Sequence, residues 1–110
     1  MKIVKKVWGQ EEIIVNNNKY CGKILTVNKS FRCSLHYHKI KHETFYVLQG
    51  NPLMEIEKYS VDAEVGDIFE ILPNTLHRFS APTGEVKLIE FSTHHEDSDS
   101  YRKVLSGKIK

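Results

Sequence analysis

About ten short apolar or alternating runs, each closed by turn residues, restrict what this chain can fold into more than any other feature. They cover Ile3–Val7, Glu12–Val15, Tyr20–Val27, Arg32–His38, Glu43–Gln49, Leu53–Lys58, Ser60–Val65, Ile68–Leu72, His77–Ala81 and Val86–Ser92. Asn16-Asn17-Asn18, Asn28-Lys29-Ser30, Gly50-Asn51-Pro52, Gly66-Asp67, Pro73-Asn74 and Thr83-Gly84 punctuate them. Asparagine suits the first of these turns because it tolerates positive φ and bonds its own backbone. No stretch repeats with helical period, so the pattern predicts an all-β domain, a small barrel or a two-sheet jelly roll. The tail from about Glu96 is polar and acidic, and Tyr101–Leu105 is expected to add a short helical turn.

One domain spanning residues 1–110 fits the length. A chain of this size buries roughly two thirds of its unfolded surface, so it needs neither disulfides nor a metal to fold. The formal charge is +2 with no basic stripe, which gives no reason to expect a nucleic-acid partner. Cys21 and Cys33 are the only cysteines and are expected to be free and half-buried. No apolar run is long enough for a signal peptide or membrane span, and a reducing cytoplasm is the expected location.

The chemistry concentrates in two stretches. The first runs from His36 through His38, His42 and Glu43 to Gly50, and the second from Gly66 to His77. Side chains alternate along a strand, so His36 and His38 share a face and can grip one ion. Imidazole nitrogen and carboxylate oxygen together suit one divalent transition metal: Zn, Fe, Mn, Ni or Cu. Glu43 opens a strand whose inward positions include Phe45 and Val47, where a carboxylate is costly unless paired or bound to a metal. His42 is a rival ligand by parity, but is better placed as a rim residue touching substrate. Lys39 and Lys41 on the same loop are expected to be solvated. His94-His95 read as a polar loop, since adjacent residues on an extended chain point apart. Tyr20, Tyr37, Tyr46 and Tyr59 read as ordinary sheet residues, and Glu90 faces either solvent or the barrel interior.

The run His36-x-His38-x4-Glu43-x6-Gly50 resembles the first cupin motif, and Gly66 through His77 resembles the second. The resemblance implies a cupin β-barrel, the double-stranded β-helix or jelly roll, with a metal in its mouth held by His36, His38, Glu43 and His77. This chain departs from the pattern at Ser30 and Asn74, where glycines are common, at Leu72 for a proline and at Ala81 for an asparagine. A finer similarity joins Val7-Trp8-Gly9, Ser34-Leu35, Leu88-Ile89-Glu90, Glu96-Asp97-Ser98-Asp99 and Arg102 to the cupin domain of type II mannose-6-phosphate isomerases, which commonly carry glutamine in place of His36.

These similarities imply a metal-dependent enzyme acting on a sugar or sugar phosphate, an aldose–ketose isomerase-like protein with Phe45, Phe79 and His42 as substrate contacts. Two alternatives stand beside it: a non-catalytic carbohydrate or metabolite-binding cupin, and an iron-dependent dioxygenase. The expected partners are a small-molecule substrate and a second copy of the chain in a homodimer, formed through unpaired sheet edges.

Overall fold

The structure, a computed structural model, describes residues 1–110. Its strands are β1 (Lys2–Lys6), β2 (Gly9–Asn16), β3 (Cys21–Val27), β4 (Phe31–Arg32), β5 (Leu35–Tyr37), β6 (Glu43–Gln49), β7 (Leu53–Ile56), β8 (Tyr59–Asp62), β9 (Ile68–Ile71), β10 (His77–Ser80), β11 (Val86–Ser92), β12 (Tyr101–Val104) and β13 (Gly107–Lys108). A 3-10 turn at Asp97–Asp99 is the sole helical element, and no helix is long and apolar enough to cross a membrane. The expected all-β jelly roll is what forms.

One antiparallel sheet runs β1-β2-β3-β11-β6-β9. In the other, β10 lies between β7, which continues to β8, and the interrupted pair β4 and β5. β12 and β13 then cover the far side of β5 and β4. The run expected over Arg32–His38 breaks at Cys33 and Ser34. There the Cys33 Sγ, rather than a carbonyl, accepts the Phe79 amide at 3.3 Å.

The register explains where the core stops and the site starts. Leu25, Leu88 and Val47 pair across β3, β11 and β6 as one buried layer. The next inward layer is Lys23, Glu90 and Phe45, and the one after it is Cys21, Ser92 and Glu43. Each strand therefore turns from apolar to charged as it approaches one end of the barrel. Below that boundary sit Val27, Val86, Met54, Ala63 and Ala81, all at most 1% exposed. Trp8 meets Phe79 edge-on at 5.5 Å, and Phe79 meets Phe45 at 5.7 Å, giving the core an aromatic roof under the polar layers.

Backbone constraints clarify several turn residues. Gly50 has φ +83, and a Cβ there would collide with the Glu85 carbonyl oxygen. Ser30 and Asn74, the two positions where glycine is common in the resembled pattern, hold φ of 74 and 64. The backbone demand persists although the glycines do not. None of Asn16, Asn17 and Asn18 has positive φ; the Asn17 Oδ1 closes the turn by accepting the Lys19 and Tyr20 amides.

The tail corrects one expectation. Tyr101–Leu105 contains no helical turn: Tyr101–Val104 is β12, paired with the otherwise open edge of β5. Tyr101 stacks on Tyr37 at 5.1 Å with the Lys39 ammonium 4.5 Å from its ring centroid, contacts an extended chain can make along its length.

Candidate metal centre

His36 lies on β5 directly opposite His77 on β10, His38 follows β5, and Glu43 begins β6 in the facing sheet. One donor atom from each lies within 4.8 Å of the others. His36 is half-buried and the other three are buried.

Backbone carbonyls orient all three imidazoles. The Nδ1 of His36 donates to Ser34 O at 2.7 Å, that of His77 to Thr75 O at 2.8 Å, and that of His38 to Asp99 O at 3.0 Å. A carbonyl can only accept, so each Nδ1 carries the proton and the neutral ring presents a lone pair at Nε2. Burial, reinforced by the neighbouring His77, lowers the His36 pKa to about 3, keeping that ring neutral near pH 7.

His77 Nε2 stands 2.9 Å from Glu43 Oε2, and His38 Nε2 stands 3.4 Å from the same oxygen. The buried His77 Nε2 and Glu43 Oε2 have no hydrogen-bond partner. Burial works against an ionised Glu43, but its neighbours, the Lys41 ammonium 3.2 Å away among them, outweigh it and hold the carboxyl well below its usual range. Lone pairs thus converge on one point. A proton on His77 would satisfy one contact, whereas a divalent cation satisfies the whole donor set.

Beside this ring lies a chain of buried charges. Lys41 is 3% exposed and bridges Glu43 at 3.2 Å and Glu90 at 3.0 Å. This overturns the expectation of a solvated Lys41; Lys39 is exposed as expected. The cause lies in Asp99, whose carboxylate accepts the amides of Lys39, Ile40 and Lys41 and shapes the loop so that Lys41 turns inward. Burial would lower the Lys41 pKa, but Glu90 and Glu43 together raise it above its ordinary value. Lys41 also donates to His95 Nδ1 at 3.0 Å, and His95 Nε2 donates to Asp97 at 2.9 Å.

Glu90, left open by the sequence, enters the barrel and is 3% exposed. Phe45 and Phe79 line the same cavity as His36, His38 and Glu43. His42 lies elsewhere, with its Nε2 2.8 Å from Glu70 on the outer face, and it does not line that cavity. His94 and His95 diverge as expected: His94 bonds Asn17 O while His95 reaches the cavity. Both cysteines are free, and they are buried rather than half-buried. Sequence reasoning missed Lys23, Lys41, His95 and Asp99 at this site. For Lys23 a signal was present, since its parity with Leu25 and Val27 points it inward.

A family model described as "Cupin domain" matches residues 23–92. No curated protein matches the chain in sequence. Among solved structures, KdgF from Halomonas sp. is similar with a TM-score of 0.74 and 20% identity, covering 81% of each chain. Oxalate decarboxylase from Bacillus subtilis has a TM-score of 0.83 and 13% identity over 93% of this chain, which spans 30% of that protein. A protein from Acidithiobacillus ferrooxidans, provisionally named a sugar phosphate isomerase, has a TM-score of 0.64 and 16% identity over 70% of this chain and 51% of its own. At these identities the likeness is one of fold.

Proposed function

The chain belongs to the cupin domain family, and we propose that it is a metal-dependent enzyme acting on a sugar or sugar phosphate by aldose–ketose isomerisation. The observation that carries this reading is a four-donor group, three of whose members, His36, His38 and Glu43, line one cavity with a second buried carboxylate, Glu90, not required as a ligand.

His36, His38, Glu43 and His77 would hold the ion. A divalent cation bound there polarises a carbonyl and its neighbouring hydroxyl. Glu90 is the proposed base, taking the proton from the hydroxyl-bearing carbon and returning it to the former carbonyl carbon, while the hydroxyl proton passes to the carbonyl oxygen. Lys41 aims the Glu90 carboxylate, donating to it at 3.0 Å. Phe45 and Phe79 wall off the floor and keep water from the reacting carbons.

The test is metal analysis of the purified protein, followed by incubation of the loaded protein with a panel of phosphosugars and free sugars. At least one should be converted, Glu90→Gln should abolish conversion with metal content unchanged, and His77→Ala should lose the ion. No conversion across the panel, with metal confirmed, refutes the isomerase. A second reading, a metabolite-binding cupin, draws on the engagement of Glu90 by both Lys41 and Ser92; it predicts binding without turnover.

We place this single domain in the cytoplasm, which suits its two free cysteines. We also propose a homodimer, because β1 and β9 are open edges carrying Ile3 and Ile68, 52% and 65% exposed. Light scattering should return twice the chain mass.

A further inference from the structure

Lys23 heads the fully buried side chains by volume and is 1% exposed. Its closest carboxylate oxygen is Glu11 Oε1 at 3.6 Å, beyond hydrogen-bond length. An ammonium carries three donors, and burying it with those donors idle is costly. The obvious partner is Glu90, directly opposite on β11, but that carboxylate is turned toward Lys41 at 3.0 Å and Ser92 at 3.2 Å. Glu43 is likewise engaged by Lys41, at 3.2 Å.

Lys23 lines the same cavity as His36, His38 and Glu43. Lys6 and Arg102 line it as well, and neither has a carboxylate within ion-pair distance. Asp97, the remaining acid on this side, is bonded to His95. The cavity that holds lone pairs for a cation is therefore also lined by cations without a close carboxylate, Arg102 opposite His36 on β5 and Lys6 and Lys23 from the facing sheet.

We propose that this cavity holds an anion subsite centred on Lys23: Lys23, with Lys6 and Arg102 lining the same cavity, receives the carboxylate or phosphate group of the ligand. The substrate class is then an anionic sugar, its charged group on Lys23 and its carbonyl end toward the histidines. The sugar part rests on the function proposed above; the anion subsite does not. Lys41 and Lys39 do not serve this role, because Lys41 is committed to two carboxylates and Lys39 lies over Tyr101.

Calorimetric titration of the metal-loaded protein with D-glucose 6-phosphate, D-glucuronate, D-glucose and inorganic phosphate tests this. The anionic sugars should bind about ten- to hundredfold more tightly than glucose. Lys23→Met should erase that preference with metal content unchanged, and Glu11→Gln, which removes the competing carboxylate, should strengthen anion binding. The stronger of the two anionic sugars tells phosphate from carboxylate. Equal binding of all three sugars overturns the subsite while leaving the sugar reading standing. Lys23-dependent binding of inorganic phosphate with no sugar bound keeps the subsite and removes the sugar reading. Binding unaltered in Lys23→Met overturns the subsite, and binding of none of the four overturns both. Should Lys23→Met fail to fold, the Glu11→Gln titration decides: unchanged anion affinity counts against the subsite.

Discussion

The main-chain oxygen of Asp99 accepts the Nδ1 proton of His38 at 3.0 Å, so a residue far along the chain sets the orientation of a candidate ligand. The same residue's carboxylate holds three successive amides, Lys39, Ile40 and Lys41, between 2.9 and 3.2 Å. Asp99→Ala should therefore weaken metal binding about 10–100-fold, with Asp99→Asn intermediate because the amide keeps one acceptor oxygen. Competition titration with a zinc chelator measures it. Wild-type affinity in Asp99→Ala would mean that the loop holds its shape without this clamp.

Lys41 neutralises two carboxylates that are 2% and 3% exposed. Lys41→Met leaves both without a cation, and urea unfolding of the metal-free protein should show a loss of about 3–5 kcal/mol. Adding Glu90→Leu should recover part of the loss. A Lys41→Met variant as stable as wild type would contradict the buried ion pairs.

Ser30 adopts φ 74 while its amide bonds Ala81 O and its carbonyl accepts the Ile109 amide, neither bond involving the side chain. Ser30→Gly relieves the left-handed strain and raises unfolded-state entropy, for a net stabilisation of about 0.5–1 kcal/mol. Asn74→Gly should gain less, since asparagine tolerates that region better. Equilibrium denaturation ranks the two.

Burial pushes the Cys33 thiol from its ordinary value up to about 12. Below pH 9 the folded and unfolded thiols are both protonated, so this group makes no pH-dependent difference. Between about pH 9 and 12 the unfolded thiol ionises and the folded one does not, so stability falls as pH rises through that window. Melting curves from pH 8 to 11 should show the fall, and Cys33→Ala should flatten it. In the native protein at pH 8 iodoacetamide should leave Cys33 unmodified.

The strand rhythm of the fold was legible because one face of each strand packs on the core: β6 and β11 have the ends their alternation predicts. The donors were legible from residue type and spacing, which local strand geometry carries. Lys41 was not, because its burial depends on a carboxylate 58 residues away in sequence. β12 was missed for a related reason. Tyr101–Val104 has little apolar alternation of its own and becomes a strand only where β5 offers an open edge. His42 illustrates the converse: it shares the parity of His36 and His38 by count, but the loop before Glu43 breaks the alternation and turns it to Glu70 on the outside.

The placement of Asp99 also orders events in time. During synthesis all four donors leave the ribosome before the segment that turns His38, so a growing chain can gather imidazoles around an ion without yet holding them in their final pose. Pairing β12 with β5 spans more than sixty residues, and such distant closures are slow. The final pose of His38 is thereby tied to the last stage of folding, after the other three candidate donors have been made.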